Sequence, residues 1–377
     1  MFYELFWGIE GRAMNIHFLI DNQYTKRFVM YMNEHYAEDK NRFYVVNYKK
    51  KLQFLDGIPN VNVISGTNQN IIWDIRKIVH DEECTNIFIH YLSNIYLFPL
   101  FFKKKKQKTY WMTWGGDYYS YINFPLFDKE TAKIVSINEK KRIIDKLLNI
   151  FRNYVIKHKV DYVSISPYEY DILTSYYKIQ PKRINFKYPN PVTLKIEKEY
   201  KELSSKKEKI ILVGNSGAAE NNHIDAFLKL SKLTGSFKLI VPLSYAYEEN
   251  YREKVISMGR TLFGDKFIPL LDYMTPEHYY EILLTVDVAV MNHFRQQAAG
   301  NMRTLIELGK KIYINETNPL YHTFIQNNVY LSPMPKDYFD ESIFIEYSEA
   351  EKKQNIKGLE SFYSEEIIAK YMDALFM

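Results

Sequence analysis

The sequence predicts an α/β protein made of two Rossmann-like domains, each a parallel sheet covered by helices on both faces. Three observations carry this prediction. Short apolar runs alternate with amphipathic segments along both halves of the chain, which is the pattern of parallel strands joined by crossover helices. Between the halves, residues 189–209 are highly charged and contain two prolines, as linkers often do. A length of 377 residues also suits two domains better than a single core.

In the first half, apolar runs bounded by polar residues predict strands, and segments with helical periodicity predict helices between them. The strands are predicted at Asn15–Ile20, Phe43–Val46, Val61–Ile64, Asn86–His90, Thr109–Trp114 and Tyr162–Ile165. The helices are predicted at Tyr24–Tyr36, Gln69–Val79, Leu92–Phe102 and Glu139–Ile156. We therefore expect a first domain at residues 14–190, with residues 1–13 as an extension.

The second half repeats the alternation. Its strands are predicted at Ile210–Val213, Lys238–Val241, Phe267–Leu270, Val286–Met291, Lys311–Ile314 and Val329–Leu331. Its helices are predicted at Asn222–Leu233, Glu248–Met258, Pro276–Leu284, Asn301–Leu308, Pro319–Gln326 and Ser364–Phe376. Gly309 stands where the residue after a helix C-cap belongs. We expect a second domain at 207–350 and a C-terminal helix within 351–377.

Composition limits the classes of site. One cysteine, Cys84, cannot form an internal disulfide and suits a reducing cytoplasm, and it is too few for a zinc or iron–sulfur site. No apolar stretch reaches the length of a transmembrane helix, and the first residues do not read as a signal peptide. No helix-turn-helix, zinc-finger or RNP pattern occurs, so nucleic acid is not expected as a partner.

Basic residues lie beside apolar ones in two segments, 96–108 and 138–159. In the first, lysines at 103–106 and 108 follow the run YLFPLFF. The second combines an apolar helix face with seven basic and two acidic residues. Such segments suit an anionic membrane surface, where each basic side chain contributes about 1 kcal/mol. A solvated helix face explains the same pattern, so both interpretations stay open.

The most informative stretch is ILVGNSGAAENNHI, residues 211–224. An apolar strand runs into a glycine turn, and Asn221 or Asn222 can cap the helix that follows. This arrangement directs backbone N–H groups and the positive end of a helix dipole to one point, which is a natural anion site. Its candidate binding residues are Gly214, Asn215, Ser216, Gly217 and His223. A tight turn without a ligand is the equal alternative.

A second polar cluster lies in NHFRQQAAGNMRTLIELG, residues 292–309. Arg295, Gln296 and Gln297 follow a predicted strand, and Gly300 and Asn301 precede a predicted helix. One guanidinium, two amides and a helix start in one place would hold a diphosphate. A surface loop would rarely need all of them, so we expect a ligand role here.

Two further candidates follow strands of the first half. In WMTWGGDYY, a glycine pair presents Asp117 at the edge of the sheet, where a carboxylate among aromatic rings can act as a general base if burial raises its pKa. His90 ends another predicted strand. The alternatives are structural: Asp117 could cap a turn or helix, and an isolated histidine is more often structural than catalytic.

The absence of several known motifs limits the classes of ligand that the protein is expected to bind. No GxGxxG follows a strand with a distant acidic residue, which argues against a dinucleotide enzyme. Walker A, HExxH and GxSxG are also missing. No Asp-x-Asp occurs, so the usual metal clamp on a nucleotide-sugar diphosphate is not offered, and no metal site is expected.

Together these clusters resemble glycosyltransferase family 56, the 4-alpha-L-fucosyltransferase family. The resemblance rests on His90, on Trp114–Asp117, on ILVGNSG with Asn222–His223–Ile224, and on Arg295–Gln297. It continues with Thr304–Leu305, Gly309, Asn315 and Asn318–Pro319, and it covers about residues 86 to 322. The chain departs from the family at Gly116, where members have Ala, and at 299–304, where they have a Gly-Ile-Gly-Thr-like stretch. No match is evident at 15–85 or 335–377.

The resemblance implies a GT-B architecture, in which the two Rossmann-like domains face each other across a cleft. The second domain would bind the nucleotide of the donor and the first domain the acceptor. It also implies a membrane-peripheral enzyme on the cytoplasmic face of the inner membrane, acting on a polyprenyl-diphosphate-linked glycan with a TDP-sugar of N-acetylfucosamine type. Thr304 and Asn318 then join the expected donor-binding residues, and no cofactor is expected.

The leading hypothesis is therefore a metal-independent glycosyltransferase that uses a nucleotide sugar. Asp117 is the preferred base if the reaction inverts configuration, and His90 the second choice. If the reaction retains configuration, Asp117 would only orient a hydroxyl. A nucleotide-sugar epimerase on the same fold and a non-catalytic assembly subunit are the alternatives.

Overall fold

The computed structural model describes residues 14–48, 51–135, 142–189 and 208–377, and it leaves out the side chains of 142–146. The expected extension at 1–13 and nearly all of the expected linker at 189–209 lie outside these residues. The described chain divides into two compact units. Among the described residues, the first comes from 14–48, 51–122, 142–189 and 368–377, and the second from 123–135 and 208–367.

The first unit contains a seven-stranded sheet in the order β3-β2-β1-β4-β5-β6-β7, with every pair parallel. Its strands are β1 (Met14–Leu19), β2 (Asn41–Asn47), β3 (Val61–Ser65), β4 (Cys84–His90), β5 (Lys108–Met112), β6 (Tyr162–Ser164) and β7 (Lys182–Ile184). Its helices are α1 (Gln23–His35), α2 (Asn68–Val79), α3 (Leu97–Phe101), α5 (Arg142–Lys159), α6 (Pro167–Tyr177) and most of α13 (Glu365–Phe376).

The second unit contains a six-stranded parallel sheet in the order β10-β9-β8-β11-β12-β13. Its strands are β8 (Lys209–Val213), β9 (Phe237–Pro242), β10 (Phe267–Leu270), β11 (Val288–Met291), β12 (Lys311–Ile314) and β13 (Ser332–Pro333). Its helices are α4 (Lys129–Ile134), α7 (His223–Leu230), α8 (Glu249–Phe263), α9 (Pro276–Thr285), α10 (Ala299–Glu307), α11 (Pro319–Gln326) and α12 (Glu349–Phe362).

The predicted fold class is confirmed, because both units are parallel α/β sheets. Central strands are buried on both faces, as strands covered by helices must be; β1 is buried at every position. In the second unit, one apolar cluster includes Phe227 and Phe237 and another includes Met302 and Phe324. Gly309 has φ +68°, as its expected position after the end of α10 requires.

Several predicted elements differ from the structure. The helix expected at Leu92–Phe102 is shortened to Leu97–Phe101. The strand expected at Val329–Leu331 is β13, three residues later. The sequence did not predict four elements, α4, α6, β7 and α12. Two of them are very short, and α12 has a weakly amphipathic, highly charged sequence that reads equally well as a solvated loop.

Among the described residues, no helix is both long and apolar enough to cross a membrane.

Candidate active site

In each unit the strand order reverses between two neighbouring strands, β1 and β4 in the first and β8 and β11 in the second. Ligands of open parallel sheets bind at the carboxyl ends of the strands beside such a reversal. The polar clusters singled out in the sequence end or follow β4, β5, β8 and β11. Each cluster therefore lies at the edge of its sheet where ligands of this fold class bind.

The loop after β8 is held mainly by hydrogen bonds within its own unit. The Gly214 N–H donates to a carbonyl of β11 at 3.0 Å, and the Asn215 N–H donates to Asn221 Oδ1 at 2.9 Å. The Gly217 N–H donates to the carbonyl of Tyr245 at 3.0 Å. Contrary to the expectation from the sequence, these three N–H groups are not directed at a ligand.

Packing and backbone conformation explain the glycines of this loop. Gly214 has φ +69°, and a Cβ there would lie 2.7 Å from Asn221 Oδ1 and 2.9 Å from His223 Nε2. A Cβ at Gly217 would lie 2.5 Å from the Cβ of Tyr247. Side chains at either position would force the loop apart, so the two glycines allow its close packing.

The start of α7 is covered by the segment that contains α4. Asn222 occupies the N-cap position in a left-handed conformation, and its side chain caps no N–H of α7. Instead its Oδ1 accepts the Asp128 N–H at 2.8 Å, and its Nδ2 donates to the carbonyl of Asn292 at 2.9 Å. The Asp225 carboxylate accepts two N–H groups in the first turn of α4, at 2.8 and 2.9 Å. The dipole end of α7 is therefore buried by protein.

Two buried histidines lie beneath this edge. Burial lowers the pKa of His223 to about 3, and burial with nearby Arg295 and His223 lowers the pKa of His293 to about 3. Each Nδ1 has a neighbour, Tyr251 Oη at 3.3 Å for His223 and Asn318 Nδ2 at 3.2 Å for His293. Neither Nε2 has a hydrogen-bond partner among the described residues. The sequence did not single out His293, and its place directly after β11 was the only signal available.

The loop after β11 brings a guanidinium and an amide to the same edge. Arg295 is 15% exposed at its side chain, and its Nη2 lies 3.5 Å from Glu220 Oε1. Gln297 Nε2 donates to Asn215 Oδ1 at 3.4 Å, which links the loops after β8 and β11. Gln296 follows Arg295 and accepts its Nη1 through the backbone carbonyl at 3.0 Å. Glu220, which the sequence did not single out, is the acidic partner of the predicted arginine.

The start of α10 is more open than the start of α7. The helix begins at Ala299, two residues earlier than predicted, and its N-cap residue Ala298 provides no side-chain cap. Ala299 is exposed and Gly300 and Asn301 are half-exposed, so the first-turn N–H groups lie near solvent. Asn301 Nδ2 donates to Tyr279 Oη at 3.0 Å, and Thr304 follows one turn later. Helix N–H groups in such a place suit an anion.

Asn318 is fully buried and holds the loop after β11 in place. Its Nδ2 donates to the carbonyls of His293 and Arg295, both at 2.9 Å, and its Oδ1 caps α11 through the Leu320 N–H at 2.9 Å. Its predicted contact with the donor stays a prediction. In the structure, Asn318 determines the position of Arg295 through the hydrogen bond to its carbonyl.

In the first unit, the Asp117 carboxylate is fully buried. One oxygen accepts the Leu92 N–H at 3.0 Å and the Trp111 indole N–H at 2.7 Å, and the other accepts the Trp114 N–H at 2.9 Å. Burial raises the pKa of Asp117, and these hydrogen bonds with nearby Arg152 oppose the shift. The carboxylate thus ties the loop after β5 to the loop after β4.

Arg152 of α5 supports the same loops from below. It is fully buried, although the sequence placed it among the basic residues of a surface helix. Its guanidinium donates to the carbonyls of Leu92 and Asp117 and to Asn94 Oδ1, and its plane lies 3.9 Å from the ring centre of Tyr121. The expectation that Arg152 faces a membrane or solvent is wrong, because the side chain is fully buried and its Nη1 and Nη2 groups donate inside the unit.

His90 belongs to a chain of buried hydrogen bonds. Its Nδ1 lies 2.6 Å from Tyr188 Oη, and its Nε2 lies 3.3 Å from Nδ1 of His17. His17 Nε2 in turn lies 3.3 Å from Asn41 Oδ1, and Trp114 Nε1 donates to Tyr188 Oη at 3.0 Å. Every bond is satisfied when both imidazoles are neutral and protonated on Nε2. Burial lowers the pKa of His17 to about 3 and lowers that of His90 well below its ordinary value, in agreement with neutral rings.

Comparison with known proteins shows which family the chain belongs to. The family model described as 4-alpha-L-fucosyltransferase, glycosyl transferase group 56, matches residues 170–376, more than half of the chain. The chain belongs to this family. The match extends to 376, which corrects the expectation that residues 335–377 show none. His90 and Asp117 lie before its start.

Solved structures agree on the fold of this glycosyl transferase group 56 member. Sucrose-phosphate synthase from Thermosynechococcus elongatus superposes with a TM-score of 0.67 at 11% identity, over 96% of this chain and 98% of that one. HepE of Anabaena in complex with UDP-glucose gives 0.63 at 10% identity, over 96% and 99%. WaaG, a glycosyltransferase of lipopolysaccharide biosynthesis, gives 0.61 at 8% identity, over 96% and 98%. These proteins share the GT-B fold with this chain.

Family and fold together identify the chain as a glycosyltransferase, and they give no support to the alternative of a nucleotide-sugar epimerase. Among the described residues, no group of three or more His, Cys, Asp or Glu side chains is placed to hold a metal ion.

Proposed function

We propose that this glycosyltransferase moves a deoxy or amino sugar of the fucose or N-acetylfucosamine type from thymidine diphosphate to a polyprenyl-diphosphate-linked glycan, without a metal ion, in surface polysaccharide synthesis. One observation carries the proposal. At the β8–β11 edge, Arg295, Gln297 and Asn215 lie together, and the open start of α10 follows four residues after Arg295. These are donors that a diphosphate requires.

The diphosphate would bind at α10 rather than at α7, whose start is covered by protein. As the glycosidic bond breaks, negative charge develops on the leaving diphosphate. Preorganised donors at that point lower the barrier most, because they interact more strongly with the transition state than with the ground state. Arg295 now faces Glu220, and a diphosphate, with more negative charge than a carboxylate, would be the stronger partner for the guanidinium.

The first experiment is a thermal-shift panel with TDP, UDP, GDP and CMP. A nucleotide that binds the native state raises the unfolding temperature with concentration, and we expect TDP to give the largest shift. Arg295→Ala should abolish the shift and remove about 2–4 kcal/mol of transition-state stabilisation from sugar transfer. Arg303→Ala is the matched control, since Arg303 lies on α10 but pairs with Glu307 at 2.8 Å. Equal losses in both variants, or wild-type behaviour of Arg295→Ala, would exclude the diphosphate role.

Asp117 and His90, predicted as catalytic residues, are proposed here to act as positioning residues. Both side chains are fully buried, and their polar atoms are already hydrogen-bonded to the protein. A general base must lie within hydrogen-bond reach of the proton that it removes. In this conformation neither side chain is open to an acceptor hydroxyl, whereas both determine where the loops after β4 and β5 lie.

We further propose that the enzyme binds the cytoplasmic face of the inner membrane through one face of the first unit. We call this surface the aromatic–basic face. It consists of Trp73 and Arg76 of α2, Phe98, Phe101 and Phe102 of the α3 segment, Leu147, Ile150 and Tyr154 of α5, and exposed Lys105, Lys106 and Lys157.

Ring contacts make the aromatic–basic face continuous. Phe98 lies 6.1 Å from Trp73 and 4.9 Å from Phe102, and Phe101 lies 5.7 Å from Tyr154. Ile150 is 67% exposed and lies in the same helix as exposed Leu147 and Tyr154, and contiguous exposed apolar groups mark an interaction surface. Apolar groups beside lysines are what an anionic lipid surface binds. Lys103 is not part of this face, since its Nζ pairs with Asp161 at 2.5 Å.

A further inference from the structure

Three aromatic side chains form a partly exposed cluster at the carboxyl edge of the first sheet. Tyr24 opens α1 after β1, Trp114 follows β5, and Tyr188 follows β7. The rings of Tyr24 and Trp114 meet edge to face at 5.8 Å, and those of Trp114 and Tyr188 lie 4.9 Å apart. We call Tyr24, Trp114 and Tyr188 the aromatic platform.

The platform differs from the aromatic core beneath it. Phe28, which contacts Tyr188 at 6.0 Å, is fully buried, whereas all three platform residues are partly exposed. Rings needed only for packing are buried more completely when they belong to a core. These rings instead lie at the carboxyl edge of the sheet, and Tyr24 follows β1, one of the two strands at the reversal in strand order beside which ligands of parallel sheets bind.

The orientation of the platform is fixed from below. Tyr188 Oη accepts the Trp114 indole N–H at 3.0 Å and lies 2.6 Å from Nδ1 of His90. His90 is held in turn by His17, so the ring of Tyr188 cannot turn without breaking buried hydrogen bonds. A fixed, partly exposed ring is preorganised for stacking, because little side-chain entropy is lost when a ligand binds.

Backbone strain marks the same edge. Tyr91, directly after β4, has φ +87°, a conformation that a bulky side chain rarely adopts. Its ring covers Gly116, two residues from Trp114, where a Cβ would lie 3.7 Å from the ring and the hydroxyl of Tyr91. Strain of this kind costs about 1–3 kcal/mol and persists mainly at functional sites.

We propose that the aromatic platform binds a pyranose ring of the glycan acceptor. The C–H face of a sugar is apolar and its rim carries hydroxyls, so it matches aromatic faces that have polar groups at their edges. Trp114 and Tyr24 would supply the faces, and Tyr188 would hold the ring of Trp114 in a fixed orientation through the indole N–H. This inference names the acceptor-binding residues of the proposed transferase, and it rests on that function for the identity of its ligand.

The test uses saturation-transfer NMR on the whole protein with the methyl glycosides of glucose, galactose, N-acetylglucosamine and glucuronic acid. For at least one glycoside we expect transfer to the C–H protons of one ring face. Trp114→Leu should weaken that signal about fivefold or more, since stacking contributes about 1 kcal/mol. Tyr24→Leu is the second variant, because it leaves the Trp114–Tyr188 hydrogen bond intact. Tyr48→Leu, an aromatic side chain of the same unit that is 60% exposed, is the control.

Circular dichroism and the unfolding temperature check that each variant folds. If wild-type protein saturates none of the four glycosides, or if Trp114→Leu and Tyr24→Leu both leave the signal unchanged, the platform does not bind sugar. An equal loss in Tyr48→Leu overturns it as well. Failure of the proposed function looks different, since nucleotide binding would then be missing in wild-type protein while the glycoside signal persists.

Discussion

At the scale of single residues, two glycines at strand ends have different reasons to be glycine. Gly214 has φ +69°, and a Cβ there would clash with Asn221 and His223. Gly116 has no such restriction, since the nearest atoms to its Cβ would be 3.7 Å away. The alanine that other family members are expected to have at this position would therefore fit.

We predict that Gly214→Ala destabilises the protein by about 1–3 kcal/mol, because it adds a left-handed alanine and a steric clash. Nucleotide binding should weaken with it, since the loop holds Asn215. Gly116→Ala, the same chemical change, should alter the unfolding free energy by less than about 0.5 kcal/mol. Urea denaturation of both variants measures this, and equal stability of the two would contradict the role given to Gly214.

The role of Asp117 can be tested with Asp117→Asn, which keeps the shape of the side chain but removes its ability to act as a base. In Asp117→Asn, an amide NH₂ must face one of the N–H donors that the carboxylate now accepts. We expect a loss of about 1–3 kcal/mol in unfolding free energy together with a loss of transfer, since a buried donor is left without a partner. A variant of wild-type stability that binds nucleotide but transfers no sugar would instead identify Asp117 as the base.

The sequence predicted which residues lie at the ends of strands, but it did not predict which residues they contact. The positions of Gly214, Arg295 and Asp117 at strand ends follow from local pattern. Their partners do not: the amide of Asn222 bonds to Asp128, 94 residues away. No local pattern predicts that the start of α7 is covered, and hence that α10 offers the more open helix start.

At the scale of elements, segments with clear apolar periodicity were predicted well, and two weakly periodic helices, α6 and α12, were not. The strand Phe267–Leu270 and the helix Pro319–Gln326 have the predicted bounds, and Asn318 as N-cap with Pro319 in the first turn fixes the start of that helix. The helix predicted at Leu92–Phe102 lost its first residues because the Leu92 N–H and the Leu92 carbonyl are bonded to Asp117 and Arg152. Tertiary hydrogen bonds overrode local periodicity there.

The aromatic–basic face gives a prediction at this scale. Ile150→Glu should weaken binding to vesicles of phosphatidylglycerol and phosphatidylethanolamine about tenfold, because it loses about 1.5–3 kcal/mol of apolar burial in lipid. Ile345→Glu is a matched control in the second unit, since both isoleucines are 67% exposed. Vesicle co-sedimentation measures the effect, and the same loss in both variants would show that net charge alone is responsible.

At the scale of the whole molecule, the alternation of strands and helices predicted two parallel sheets, but it did not predict which sheet each outer segment joins. The last helix belongs to the first unit: Asp373 accepts the Tyr36 hydroxyl at 2.6 Å, and the ring of Phe376 lies 5.6 Å from that of His17. The amphipathic pattern of a helix indicates that one of its faces packs against another part of the protein, but it does not indicate which part. Such long-range choices depend on packing that no local window contains.

Both units bury neutral histidines in their cores, and this links stability to pH. Burial lowers the pKa of His17, His223 and His293 to about 3, and burial with nearby His17 lowers the pKa of His90 well below its ordinary value. An unfolded histidine titrates near 6.5, so below that pH the unfolded chain takes up protons that the folded chain refuses. The stabilisation is complete above about pH 6.5 and is lost as the pH falls towards 3.

We therefore predict that the unfolding free energy falls steeply with acid, by up to about 1.4 kcal/mol per pH unit for each of these histidines below about pH 6.5. Urea denaturation at pH 7 and at pH 5 measures the slope. His223→Gln should reduce the slope between these two pH values by about 1 kcal/mol per pH unit on average, because one titrating group is removed from the unfolded chain. His278→Gln is the control for the substitution itself, since that side chain is 62% exposed. A slope that His223→Gln does not alter would mean that His223 takes up its proton inside the folded enzyme, which its unpartnered Nε2 and complete burial oppose.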